Sequence, residues 1–181
     1  MQGIRIPKII RSFQWVAGAA VLMLFTALSN DLFGQSSETQ KSVDVSDALD
    51  RRLVFEKPPE RIVIAGRGLL MVADAVYLFP QAPQRVIAFE KITLGGGNFL
   101  SVVDPLFDSK EVLPIDVGAE HIASLDPDLV ILKSYMRRRL GNSLELLDVP
   151  VMYLDFETPE KFVRDISTLA RILGDEKRGE E

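Results

Sequence analysis

Arg61-Ile-Val-Ile-Ala-Gly-Arg-Gly-Leu-Leu-Met-Val-Ala-Asp-Ala-Val-Tyr-Leu-Phe-Pro80 joins an unbroken apolar run to a helical pattern through two glycines. Residues 62–65 do not alternate, so they read as a strand covered on both faces; a strand with one wet face would alternate. Beyond the glycines, Leu69, Val72, Ala73, Val76 and Phe79 recur at helical spacing until Pro80 stops them. The stretch is therefore a strand, a tight turn and a helix.

The same unit repeats downstream. Residues 85–90 read as a second strand, followed by the loop Gly95-Gly96-Gly97-Asn98 and a short helix around 99–103. Residues 111–115 are a weaker third strand, because Pro114 confines them to a sheet edge or a strand end. A short helix at 119–125 leads through the turn Asp126-Pro-Asp128 to a fourth strand at 129–133; a helix at 138–147 and a last strand at 149–154 follow. Apolar strands separated by helices belong to a mostly parallel sheet flanked by helices. The predicted class is α/β, a Rossmann-like lobe over 46–155. Thr158-Pro159-Glu160 then opens a further helix, with a capping hydroxyl, proline in the first turn and an acid near the positive end of the dipole. Its apolar stripe is Phe162, Val163, Ile166, Leu169, Ala170 and Leu173, and the charged run 175–181 closes the chain with no evident finishing structure.

At the other end, Arg5, Lys8 and Arg11 precede an apolar run at 15–28, and Ala27-Leu-Ser29 offers a small-residue cleavage site before Asn30. This is the layout of a secretory signal over 1–29, since a membrane-spanning helix wants about 20 apolar residues. An uncleaved segment would instead make the chain a membrane-tethered interaction domain. Residues 30–45 are polar and read as a linker. Removing the leader takes three of the 21 basic residues and none of the 26 acidic ones, which leaves 18 against 26, a net charge of −8. An acidic exported chain is a poor partner for nucleic acid. The absence of cysteine excludes disulfides, thiolate metal sites and cysteine nucleophiles.

Catalytic patterns are thin. Gly66-Arg67-Gly68 follows a strand and opens a helix, as in a dinucleotide-binding enzyme, but the third glycine of that pattern is replaced by Met71, and an acid for the ribose is poorly placed although Glu90 ends the second strand; two glycines permitting a tight turn are the better reading. The triple-glycine loop lacks the Lys-Ser/Thr ending of a phosphate loop. His121 is the sole histidine and reads as a helix-surface residue. Ser134 lacks the Gly-x-Ser-x-Gly setting of a hydrolase nucleophile, and turn chemistry accounts for Asp126 and Asp128 around their proline. No enzyme activity and no cofactor is expected.

One constellation is more specific. Ala119-Glu-His-Ile-Ala-Ser-Leu-Asp-Pro-Asp-Leu-Val-Ile-Leu132, with Pro58-Pro-Glu-Arg-Ile-Val-Ile64 upstream and Leu147-Asp-Val-Pro-Val-Met-Tyr-Leu-Asp155 downstream, resembles the periplasmic binding-protein family for iron-siderophores, haem and cobalamin. Asp50-Arg-Arg-Leu-Val-Phe-Glu-Lys-Pro-Pro-Glu-Arg61 is similar to that family's opening. The resemblance implies two α/β lobes joined by a long helix, with ligand held between them and delivered to an ABC permease in the membrane. This chain supplies the first lobe and, from Pro159, the beginning of the connecting helix; the missing second lobe reads as a fragment or truncated product rather than a natural half-protein. The cleft would be walled by the loops after the strands: Gly66, Arg67 and Gly68; Glu90, Lys91 and Asn98; Asp116; and Lys133, Ser134, Tyr135 and Arg137. Basic groups and a tyrosine ring suit a ferric chelate or a propionate-bearing ligand such as haem, and the resemblance adds a corrinoid to the ligand classes it implies. No glutamate within 136–142 matches the family's permease-contacting one.

Overall fold

The computed structural model describes residues 42–92 and 100–180, so the expected leader and Asn98 with its glycine loop lie outside the described residues. The described residues begin with an antiparallel hairpin of β1 (Val43–Ser46) and β2 (Arg52–Phe55) that the sequence reading did not contain. β1 lies partly inside the segment read as linker, and its Val43 and Val45 are buried in the core. The hairpin turn is built on Asp47, which is buried and accepts from the backbone N–H groups of Leu49 (2.9 Å) and Arg51 (3.1 Å).

Five strands follow, β3 (Ile62–Ile64), β4 (Val86–Glu90), β5 (Glu111–Leu113), β6 (Leu129–Lys133) and β7 (Val151–Leu154). They form one parallel sheet in the order β5-β4-β3-β6-β7. The expectation for Pro114 holds, since it follows β5 at a sheet edge. The opposite edge, β7, is covered by the hairpin turn: the Ala48 N–H donates to the Tyr153 carbonyl at 2.8 Å, and Arg51 donates to the Val151 carbonyl at 2.5 Å.

Alternate residues of the central strands feed two cores. Ile62, Ile64, Leu129, Ile131, Met152 and Leu154 face α1 (Leu69–Val76) and the C-terminal helix, whereas Val63, Val130, Leu132, Val151 and Tyr153 face the other side. Each fully buried aliphatic side chain contributes about 2 kcal/mol relative to exposure, and this is why the strands carry no polar alternation. The short helices α2 (Ala82–Arg85), α3 (Leu100–Val103), α4 (Ala119–Ala123) and α5 (Asn142–Glu145) complete the layers. Between β6 and α5 the chain makes a 3-10 turn (Ser134–Met136) and a π turn (Arg137–Gly141); a Cβ at Gly141 would overlap the Tyr153 hydroxyl.

The last helix, α6 (Pro159–Leu173), has the expected cap, with the Thr158 hydroxyl oxygen accepting the Lys161 N–H at 3.3 Å. Ile166, Leu169, Ala170 and Leu173 are buried as expected, while Phe162 and Val163 are exposed. The helix stops on Gly174, left-handed at φ 70, where the Gly174 N–H donates to the Arg171 carbonyl and the Asp175 N–H to the Ala170 carbonyl. Residues 175–180 pack back onto the fold. Gly179 packs against Ala170, and the Arg178 guanidinium donates to the Leu78 carbonyl at 3.2 Å.

Candidate functional site

The strand order fixes where a ligand can enter. From β3 the chain proceeds outward to β4 and β5, then returns to place β6 and β7 on the other side, so the loops after β3 and β6 diverge at a topological switch point. A pocket of about 570 Å³ lies there, walled by Gly66 to Met71 after β3, Glu90 to Ile92 at the end of β4, Ile115, Lys133 and Tyr135 after β6, and Glu157 after β7. A second pocket of about 290 Å³ shares Gly66 and Glu90 and runs along Asp116 to Glu120 and Arg139.

The two glycines allow the walls to meet. Gly66 and Gly68 have φ of 83° and 76°, a backbone region that residues with a Cβ adopt at a cost. A Cβ on Gly68 would stand 2.5 Å from the Tyr135 hydroxyl and 3.2 Å from Lys133 Cγ. Tyr135 thus lies over the turn. Burial raises its hydroxyl pKa, Glu157 adds to the rise, and Arg67 opposes it. Beneath the turn, the buried Glu90 carboxylate accepts the Gly66 N–H at 2.6 Å and the Asp116 N–H at 2.8 Å. One side chain clamps the loops after β3 and β5. A nucleotide's phosphates would find the Gly66 donor already taken by an anion and Gly68 covered by a phenol, which speaks against the dinucleotide reading.

Lys133 is not a free ligand cation. Its side chain is 3% exposed, and its ammonium donates to Glu157 Oε1 at 2.6 Å and to the Asp155 carbonyl. Ser134 is not among the residues lining the pocket and donates to Asp155 Oδ1 at 2.9 Å. The other oxygen of Asp155 takes Lys161 at 2.5 Å, and that hydrogen bond is the main reason its carboxyl pKa lies below the ordinary value; burial opposes it. The loop is anchored by Asp165 of α6, buried, whose Oδ2 accepts the N–H groups of Asp155 (2.6 Å) and Phe156 (3.0 Å). Phe156 is left-handed at φ 56, and the turn it makes directs Glu157 back to Lys133.

The exposed charge sits nearby. Arg67 approaches Asp116 Oδ2 at 3.5 Å and Arg139 approaches Asp116 Oδ1 at 2.9 Å, so one carboxylate serves two guanidinium groups from different loops.

Of the residues read from the sequence as cleft-lining, Gly66, Arg67, Gly68, Glu90, Lys91, Lys133 and Tyr135 line the larger pocket, and Gly66, Glu90 and Asp116 the smaller. Ser134 and Arg137 line neither. Sequence reasoning missed Met71, Ile115 and Glu157, and placed Arg139 in the basic cluster of a cleft-facing loop without choosing it over Arg137. Glu157 was within reach, since it follows the fifth strand of the sheet as the other loops follow theirs. Asp126 and Asp128 are turn residues at the far end of the strands, where Asp128 accepts the N–H groups of Glu60 and Arg61. His121 pairs with Glu111 at 2.9 Å on the surface. Among the described residues no group of three or more histidine and carboxylate side chains is placed to hold a metal ion.

No protein-family model matches the chain, and no curated protein matches it in sequence. Solved structures do match its fold. A periplasmic solute binding protein from Veillonella parvula superposes with a TM-score of 0.61 at 19% identity, over 77% of this chain and 43% of its own. The iron uptake ABC transporter substrate-binding protein PiuA from Streptococcus pneumoniae gives 0.60 at 19% identity, over 76% and 47%. Staphylococcus aureus SirA complexed with staphyloferrin B gives 0.52 at 20%, over 76% and 44%. The chain spans less than half the length of these structures, and at such identities what it shares with them is the fold, an α/β arrangement consistent with a single lobe of a binding protein.

Proposed function

We propose that this chain is the first lobe of an exported solute-binding protein of an ABC importer, which captures an iron chelate (a siderophore or haem) or a cobalamin-type ligand and hands it to a membrane permease. The observation that carries the reading is the pocket at the β3–β6 switch point, with Arg67, Lys91 and Tyr135 on its walls. The fold likeness to binding proteins for iron and siderophores supports it. The basic leader and apolar run at the N-terminus support export.

Tyr135 makes the test direct. The only tryptophan, Trp15, lies in the expected leader, and of the three tyrosines Tyr77 and Tyr153 are tied to Asp104 and Glu145 inside the fold. Tyr135 is the exposed one and lines the pocket. Quenching of tyrosine fluorescence by a ferric siderophore, haem or cobalamin, with matching heat in calorimetry, is expected; tight binding of NAD or ATP with no response to any of those ligands would reverse the reading. Intact-mass measurement of the exported protein tests removal of residues 1–29.

A further inference from the structure

Asp116 stands between two cations that come from separate parts of the fold. Arg67 follows β3 and Arg139 lies in the π turn after β6, and each takes a different oxygen of the carboxylate. The side chains are exposed, Arg67 at 59%, Arg139 at 50% and Asp116 at 42%. The bridge sits where the two pockets meet, since Arg67 lines the larger, Asp116 and Arg139 line the smaller, and both share Gly66 and Glu90. Asp116 is held there by its backbone: it is left-handed at φ 57, and its N–H is fixed by the buried Glu90 carboxylate. Two guanidinium groups on the two oxygens of one carboxylate form an arrangement that recognises carboxylates on other molecules equally well.

We infer that Asp116 is a built-in competitor: its carboxylate holds the Arg67–Arg139 pair in the place of a ligand carboxylate, and polycarboxylate chelates enter the cleft by exchanging with it. The identity of the ligand as a chelate rests on the proposed solute-binding role, whereas the exchange rests on the geometry alone. Ion pairs this exposed are individually weak, so the exchange is within reach of an ordinary ligand carboxylate. Two carboxylates between the same arginines repel each other, so ligand and Asp116 exclude one another. Such a competitor favours ligands with several carboxylates, because a single weak anion gains nothing over the one already there.

The test is the substitution Asp116→Asn in the full-length chain. Asparagine tolerates the left-handed backbone, keeps the N–H that Glu90 holds, and removes only the charge. Calorimetry with metal-free citrate and with ferric citrate should show binding about two- to thirtyfold tighter than to the unaltered protein, the range set by releasing two exposed ion pairs. The gain should shrink at high salt and vanish when Arg139→Ala is added. A damaged fold weakens binding and cannot produce this gain. Unchanged, weaker or unmeasurable citrate binding by Asp116→Asn overturns the inference, as does an equal gain for a neutral ferric trihydroxamate, which has no carboxylate to exchange. The two readings fail separately. If the trihydroxamate binds both proteins tightly and citrate shows no gain, the competitor falls and the solute-binding role stands; if metal-free citrate gains and no ferric chelate binds, the competitor stands and the iron-chelate reading falls.

Discussion

Replacing Gly68 by alanine tests whether the β3 turn and the β6 loop meet as described. At φ 76° a Cβ costs about 1–2 kcal/mol, partly offset by about 0.4–1 kcal/mol from the less flexible unfolded chain. The new methyl also lands 2.5 Å from the Tyr135 hydroxyl and 3.2 Å from Lys133 Cγ. The tyrosine is exposed and can turn aside, at roughly 0.5–1.5 kcal/mol for leaving its rotamer. Together these give a destabilisation of about 1–2 kcal/mol. In a Tyr135→Phe background the nearest ring atom, Cζ, is 3.6 Å from the methyl, an ordinary contact, so only the backbone cost and the 3.2 Å approach to Lys133 Cγ, common to both backgrounds, should remain. Urea unfolding of the wild type, both single variants and the double variant forms a cycle with an expected coupling of about 0.5–1 kcal/mol. Equal costs for Gly68→Ala in the two backgrounds would refute the contact, and with it the claim that Tyr135 closes over the glycine turn.

Two further outcomes concern the loop after β7. Asp165→Ala should cost about 2–4 kcal/mol in urea unfolding, because it strands the N–H groups of Asp155 and Phe156, and Asp165→Asn should cost less by keeping one acceptor; equal losses would count against the anchor. Asp155, whose pKa is lowered chiefly by Lys161, contributes stability that is present above its unfolded value of 3.8 and is lost as pH falls through the lower folded value. Lys161→Met should raise that pKa toward the ordinary value in a carboxyl carbon NMR titration, and an unmoved titration would contradict the assignment.

The parallel sheet was legible because each of its central strands is an uninterrupted apolar run, a local signal. The hairpin was not, since β1 alternates Val43-Asp-Val-Ser46 in a polar setting and its turn is held by Asp47 and Arg51 reaching β7, about a hundred residues away. In the cleft, loop positions after the strands could be anticipated from topology, but not which side chain of Arg137-Arg-Arg139 reaches inward. That depends on the π turn, whose broader coil, with more residues per turn, shifts the register from an α-helix and brings Arg139, not Arg137, to Asp116. Lys133 was read as a ligand cation because it ends a strand; its burial follows from Phe156, whose left-handed turn no composition rule signals. The stop at Gly174 was available in the sequence, as a glycine after the last apolar position of the helical stripe.

The charges around the cleft bear on the size and sign of what it can hold. Lys133 is committed to Glu157, and a buried cation without its partner would be costly, so this pair adds no net charge and resists displacement. Glu90 is satisfied by two backbone donors. Arg67 and Arg139 share one carboxylate, and Lys91, exposed on the wall, has no ion pair among the described residues. With Glu120 on the smaller pocket, the two pockets together carry four cations (Arg67, Lys91, Lys133, Arg139) and four carboxylates (Glu90, Asp116, Glu120, Glu157), so their walls are close to neutral and hold a small anion through local pairing, not a net field. A nucleoside triphosphate would bring more negative charge than these groups neutralise, and would meet Glu90 beneath the turn where its phosphates should lie. A chelate with a metal partly cancelling its carboxylates adds less charge to these near-neutral walls, and the exchange with Asp116 leaves each guanidinium paired.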